Sequence, residues 1–184
     1  MKILFLGPPG VGKGTQAVRV AEALEIPHIS TGEMFREHMD SATGLGKQIS
    51  RIVARGDLVP DSLTVAMLLE RLGYPDTANG YILDGFPRNL SQAHALDEVI
   101  GETALDAVVV LQAEFDMLKE RLLNRGRADD TEESVSNRLV VYERETAPLV
   151  RFYEDRGVTA GVNGVGSVEE ITANILAALA RFRP

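Results

Sequence analysis

The sequence contains no cysteine. That excludes a disulfide framework and any thiolate-held metal. Tryptophan is also missing, and aromatic residues make up only 5% of the chain. The three histidines, His28, His38 and His94, are scattered without metal-ligand spacing and are assigned structural places. No apolar run reaches the roughly 20 residues that a membrane-spanning helix needs. The opening Met1–Leu6 is too short for a signal peptide, so a cytoplasmic protein without membrane contact is expected. Positive charge is in deficit: 19 Lys and Arg face 27 Asp and Glu, a net charge of −8. Broad nucleic-acid binding usually shows as a basic face, and this balance argues against it. A small anionic ligand is still allowed, because a few clustered arginines make a local positive site. There is no fixed-period repeat, no low-complexity tract and no linker rich in Pro or Ser.

What is present suits one α/β domain over residues 1–184, with 45% hydrophobic residues to form a substantial core. Strands are predicted at Lys2–Leu6, Pro27–Ser30, Tyr81–Asp84, Asp106–Leu111 and Val158–Val162. Helices are predicted at Thr15–Leu24, Thr31–Met39 with Thr31 as cap, and Leu45–Arg55 ended by Gly56. Others follow at Asp61–Leu72 with Asp61 as cap, Ser91–Ile100, Phe115–Asn124, Thr131–Arg156 and Val168–Arg181. This alternation predicts a parallel sheet with helices on both faces. Several helices lie between the second and third strands instead of one, so a helical insertion is expected there.

The stretch "GPPGVGKGTQ", Gly7 to Gln16, follows a strand and precedes a helix. Glycines let successive backbone N–H groups turn toward an anion, and the helix N-terminus adds its positive end. Lys13 supplies a mobile full charge. The pattern is close to the phosphate-binding loop G-x-x-x-x-G-K-[ST], but Gly14 stands at the hydroxyl position and Thr15 comes one residue late. A simple strand–helix turn would not need this many glycines beside a lysine.

Further anion-binding candidates follow. Thr31 and Arg36 flank the first turns of one helix, where Arg can meet a phosphate and Thr a base edge. A cap and an exposed arginine are the alternative. "DGFPR", Asp84 to Arg88, ends an apolar strand, where parallel sheets bind ligands. Arg88 can bridge phosphates with its planar fork, and Asp84 can orient the water shell of Mg²⁺ or simply cap a turn. Gln92, one turn on, can offer donor and acceptor to a base. Arg121, Arg125, Arg127 and Arg138 cluster in an otherwise acidic chain. They are either a solvated face paired with Asp129, Asp130, Glu132 and Glu133, or a clamp on a transferring phosphoryl group.

Taken together, "GPPGVGKGTQ", "STGEMFR" (Ser30–Arg36), "GDLVPD" (Gly56–Asp61), "DGFPRNLSQ" (Asp84–Gln92), "RLLNRGRADDTEE" (Arg121–Glu133), "RLVVYERETAPL" (Arg138–Leu149) and "VNGVGSVEEI" (Val162–Ile171) resemble the adenylate kinases and their nucleoside monophosphate kinase relatives. The resemblance spans nearly the whole chain, and Gly followed by Thr after the loop lysine belongs to it. It implies a P-loop three-layer fold with a five-stranded parallel sheet, an AMP-binding insertion at about residues 30–59 and a short lid at about 124–130.

By the same resemblance, Gly10, Val11, Gly12, Lys13, Gly14, Thr15, Arg121, Arg125 and Gly166 serve ATP. AMP is implied to meet Thr31, Arg36, Asp57, Leu58, Val59, Gly85, Phe86, Pro87, Arg88, Gln92, Arg127 and Arg138. Lys13, Arg88, Arg125, Arg127 and Arg138 are the implied catalytic set, with Mg²⁺ near Asp84 and Thr15 through water. The implied reaction is ATP + AMP ⇌ 2 ADP by direct in-line transfer in a monomer. Only Gly126 separates Arg125 from Arg127, where longer relatives carry a lid segment with cysteine ligands, so no structural zinc is expected. A UMP/CMP kinase of the same family is the nearest alternative. Asn89 suits it, whereas Thr31 and Gln92 stand where those relatives tend to have Ala and Asn. A non-catalytic nucleotide switch is a further alternative, although no N-K-x-D guanine motif is present.

Overall fold

The apolar run β1 (Lys2–Leu6) forms the middle of the sheet in a computed structural model that describes residues 1–40, 44–102 and 104–182. The other strands are β2 (His28–Ser30), β3 (Tyr81–Asp84), β4 (Ala107–Gln112) and β5 (Thr159–Asn163). All pair in parallel, in the order β2-β3-β1-β4-β5.

Alternation along the central strands feeds two separate cores, because successive strand side chains point to opposite faces. Ile3, Phe5, Ile82, Val109 and Leu111 pack on one face with α1 (Lys13–Leu24), α6 (Phe115–Asn124) and α9 (Val168–Leu179). Leu4, Leu6, Leu83, Val108 and Val110 pack on the other with α4 (Asp61–Leu72), α5 (Leu90–Ile100) and α8 (Pro148–Glu154). Each fully buried Leu or Ile of this kind contributes roughly 1.5–3 kcal/mol. A third, smaller core of Phe35, Ile49 and Val59 joins α2 (Thr31–Asp40) and α3 (Gly44–Ala54), away from the sheet. Within the expected insertion, residues 41–43 lie outside the described residues.

The boundaries depart from the sequence expectation in instructive ways. Helix α1 begins at Lys13 rather than Thr15, because Gly12, at φ 100°, turns the chain into the helix two residues earlier. Its carbonyl already accepts from Gln16 N at 3.0 Å. Thr31 is not the cap of α2. Ser30 Oγ takes that part by accepting from Glu33 N at 3.4 Å, while the Thr31 hydroxyl donates to Gly85 O at 2.9 Å. Asp61 is not the cap of α4 either. Pro60 precedes the helix and its carbonyl accepts from Thr64 N, leaving the Asp61 carboxylate free to face α5.

The long helix expected at Thr131–Arg156 is three segments. Helix α7 (Glu132–Val141) passes into a π-helical turn at Tyr142–Thr146 and then into α8. Pro148 has no N–H and its ring crowds the preceding turn, so the regular ladder cannot run through it. The extra residue appears as a five-residue bond from Ala147 N to Tyr142 O at 2.8 Å. Beyond Leu179 the last helix tightens into a 3₁₀ turn through Phe182, and another such turn, Pro75–Thr77, precedes β3. Strands β2, β4 and β5 begin one residue later than expected, and the last two also end one residue later. Among the described residues, no helix is long and apolar enough to cross a membrane.

Candidate active site

Strands β1 and β3 are neighbours, yet the helices that follow them, α1 and α5, cover opposite faces. Their loops therefore part at the carboxyl ends of the strands, which is the crevice where parallel sheets bind ligands. A cleft of about 1180 Å³ opens there. Eighteen of the sequence-predicted residues line it: Gly10, Gly12, Lys13, Gly14 and Thr15 from the loop; Arg36, Asp57, Leu58 and Val59 from the insertion; Asp84, Gly85, Pro87, Arg88 and Gln92 after β3; Arg121, Arg125, Arg127 and Arg138 from α6 to α7.

The loop is built for close approach. Gly10 has φ 84°, and a Cβ there would lie 2.8 Å from the Leu118 carbonyl oxygen, so glycine is required. Val11 is buried in the core and roots the loop instead of facing the cleft. Lys13 Nζ donates to Gly7 O at 2.7 Å and Pro8 O at 3.0 Å, which holds the ammonium across the loop mouth. Burial lowers its pKa to about 8, helped by Arg88 and Arg125 and opposed by Asp84. A Cβ on Gly14 would sit 3.4 Å from Asp84 Oδ2, so the small residue after Lys13 leaves that carboxylate uncovered toward the loop.

Burial pushes the Asp84 carboxyl up, but His28, Lys13 and Arg88 outweigh it and hold its pKa below the usual range. His28 Nε2 lies 3.5 Å from Asp84 Oδ2, at the outer limit of hydrogen bonding. Among the described residues, no group of three or more His, Cys, Asp or Glu could cage a metal. A carboxylate and the exposed Thr15 hydroxyl on one cleft wall nonetheless fit Mg²⁺, which keeps most of its water and is usually held by one or two carboxylates and substrate phosphates.

After β3, the chain turns through Gly85 at φ 81°, and the Phe86–Pro87 peptide is cis. Phe86 and Pro87 are buried, and Phe86 anchors the turn in the second core. Arg88 Nε donates to Gly85 O at 2.7 Å, while Thr146 of the π-helical turn donates its hydroxyl to Arg88 O at 2.6 Å. Burial lowers the Arg88 pKa, Arg138 and Arg36 add to the effect, and Asp84 opposes it. The guanidinium is thus held by Gly85 O among like charges, while Thr146 fixes the backbone that carries it. Thr31 is buried behind this turn, tied to Gly85 rather than lining the cleft.

The arginines of the α6–α7 connection carry their own counterions. Arg125 grips Asp130 through Nε at 2.9 Å and Nη2 at 2.6 Å. Arg138 Nη1 shares the same carboxylate at 2.8 Å, and its Nη2 meets Asp129. Arg127 has its pKa lowered by burial first, then by Arg125 and Arg36. Arg121 Nη1 reaches across to Gly164 O at 3.2 Å, in the loop that carries Gly166. Gly166 itself is exposed and does not line the cleft, although Gly164 beside it packs on Val11 of the phosphate loop.

Four contributors escaped sequence reasoning. His28 was assigned a structural place, yet it faces Asp84. Asn137 donates to Asp57 Oδ1 at 2.9 Å and to Arg55 O at 2.8 Å, tying the end of the insertion to α7. Asp61 and Asn89 form a side-chain pair behind Gln92. Asp61 and Asn89 stood within the quoted motifs, but only their contacts show what they do.

A phosphate loop, an acid at the end of β3 and a ring of arginines from three separate segments therefore face one cleft. The family model described as adenylate kinase matches residues 5–158. The chain belongs to the adenylate kinase family. It is 51% identical to an adenylate kinase of Stenotrophomonas maltophilia over 185 residues, covering 97% of this chain and 99% of that protein. It is 49% identical to adenylate kinases of Xanthomonas euvesicatoria and Mycobacterium tuberculosis, each with 98% of this chain and 100% of the relative covered. Mg²⁺-dependent phosphoryl transfer between ATP and AMP is the general activity of the adenylate kinase family, and this member is accordingly a nucleoside monophosphate kinase.

Proposed function

We propose that the cleft holds ATP and AMP at once and passes the terminal phosphoryl group directly between them. The supporting observation is the convergence of Lys13, Arg36, Arg88, Arg125, Arg127 and Arg138 on one cleft in a chain of net charge −8. Its volume of about 1180 Å³ exceeds the roughly 300–1,000 Å³ of a site for one small ligand. With both substrates in place no covalent enzyme intermediate is needed.

Each residue has a part in this reading. The backbone of Gly10–Thr15 cradles the ATP phosphates, and Lys13 exchanges its two carbonyl partners for the phosphate that moves. Arg36 and Arg88 hold the AMP phosphate as acceptor. Arg125, Arg127 and Arg138 stabilise charge on the transferring group, which needs positioning and electrostatic help rather than covalent chemistry. Arg121 and the Gly166 loop flank the ATP base, and Asp57, Leu58, Val59 and Gln92 flank the AMP base. Asp84 and Thr15 would hold Mg²⁺ through water, and the ion supplies neutralisation of phosphate charge. The insertion (about 30–59) and the short lid (about 124–130) close over the substrates and exclude water, which would otherwise compete as acceptor. The chain acts as a cytoplasmic monomer on nucleotides alone.

Acceptor assays with AMP, UMP and CMP test this. We expect rapid ADP formation from AMP and only slow ATP hydrolysis when no acceptor is added. Robust UMP turnover with negligible AMP turnover would overturn it.

A further inference from the structure

Behind Gln92 lies a polar network whose other members, Asp61 and Asn89, have no part in the proposed reaction. Gln92 is 2% exposed, and both ends of its amide are engaged. Nε2 donates to Asp61 Oδ1 at 2.6 Å, and Oε1 accepts from the backbone N–H of Arg88 at 2.7 Å. Asn89 braces the same carboxylate from Nδ2, at 3.0 and 3.2 Å, and its Oδ1 accepts from Gln92 N at 2.8 Å.

The two partners of the Gln92 amide have opposite and fixed polarity. A carboxylate only accepts, and a backbone N–H only donates. Turning the amide over would set oxygen against carboxylate and NH₂ against N–H, losing both bonds and adding two repulsions. The orientation is therefore determined by chemistry.

We propose that Asp61 is a specificity-determining positioning residue: by locking the Gln92 amide it selects adenine over 6-oxopurines. The proposal rests on the reading that Gln92 faces the acceptor base. Once Asp61 and Arg88 N are served, the amide keeps one N–H and one oxygen lone pair. Adenine offers the matching edge, with N1 accepting and the 6-amino group donating. Hypoxanthine has nearly the same shape with the polarity reversed: N1–H donates and O6 accepts. A free glutamine would rotate to suit either base; the locked one cannot. A site whose buried polar groups are left unpaired rejects an analogue far more strongly than one that merely loses contact area.

The test compares AMP and IMP as acceptors for the wild type, Asp61→Asn, Asp61→Glu and Gln92→Met, with the KM for ATP measured alongside. The wild type should prefer AMP by at least about a hundredfold in kcat/KM. Asp61→Asn carries both a donor and an acceptor, so it no longer opposes rotation of the amide and leaves only the Arg88 N–H to hold it. It should narrow the AMP-to-IMP ratio by about tenfold or more, with the KM for ATP unchanged. Asp61→Glu, which only accepts, should restore much of the preference. An unaltered ratio in Asp61→Asn overturns the part assigned to Asp61, whatever happens to the melting temperature. Wild-type protein that uses IMP within about threefold of AMP overturns it without any mutation. Gln92→Met separates the two ideas. If it leaves the KM for AMP untouched, the base reading fails; if it raises that KM while Asp61→Asn keeps the wild-type ratio, the lock alone fails.

Discussion

Arg138 and Asp130 are joined across the turn between α6 and α7, with Nη1 donating to Oδ1 at 2.8 Å. The Asp130 side chain is only 1% exposed, because Arg125 closes over its other side. Burial pushes this carboxyl up, yet the two arginines more than compensate and hold its pKa below the ordinary 3.8. A depressed carboxylate stabilises the fold fully above its unfolded value, and the contribution is lost as pH falls through the folded one. Wild-type stability should therefore drop below about pH 4, and Asp130→Asn should drop less, as urea titrations at stepped pH would show. At neutral pH, Asp130→Ala should cost about 1–3 kcal/mol, discounted because both arginines are partly exposed. An Asp130→Ala variant as stable as wild type would contradict the pairing.

Lys13 gives a slope of the same sign in a higher pH range, because burial penalises its charged form. Its pKa is lowered to about 8, so the folded chain gives up the proton while the unfolded chain holds it to about 10.5. Between those values stability should rise with pH, and the rise should vanish in Lys13→Met. ATP affinity should fall over the same range in wild type, because the neutral amine no longer draws phosphate. Lys13→Met should also lower kcat on the order of 10²–10³-fold with the fold intact. A pH-independent ATP Kd in the wild type from pH 7 to 10 would count against this placement.

Arg88 is held by Gly85 O on one side, while its carbonyl accepts from Thr146 on the other. Such a fixed cation needs no reorganisation to meet developing charge. Arg88→Ala should lower kcat/KM for AMP by about 10²–10³-fold without changing the circular dichroism spectrum. Arg88→Lys should recover little, since an ammonium lacks the planar fork. Unchanged turnover in Arg88→Ala would refute its role.

Gly85 is where packing and site meet most tightly. A Cβ would lie 2.8 Å from Thr31 Oγ1 and 3.1 Å from Arg88 Nη2, at a φ of 81° that L-residues rarely adopt. Gly85→Ala should destabilise by about 1–3 kcal/mol and raise the KM for AMP more than the KM for ATP. Thermal melts and steady-state kinetics measure the two effects. Equal rises in both KM values would show that the damage is not confined to the Arg88 side.

Most of the strands and the phosphate loop were legible because their signals are local. The unbroken apolar runs of β1, β3 and β4 and the glycines at 10 and 12 state their roles within ten residues. The errors came where a residue's job depends on something far along the chain. Thr31 and Asp61 looked like caps, because both types cap helices well. Thr31 instead meets Gly85, and Asp61 meets Asn89 and Gln92, 28 and 31 residues away. The π-helical turn was missed although Pro148 was in view, since a proline marks a disturbance without saying how the ladder will absorb it.

The sequence by itself determined the chemistry available: a glycine-rich loop with one lysine, an acid ending a buried strand, and arginines concentrated in an acidic chain. It determined the layers as well, because strand and helix periodicities dictate which face must be buried. Only the tertiary structure decided which groups are already occupied. Arg125 and Arg138 hold Asp130, Lys13 rests on two carbonyls, and the Gln92 amide is locked between Asp61 and Arg88. Hydrogen-bond and ion partners are set by distances of about 3 Å, and folding, not chain order, brings these groups that close.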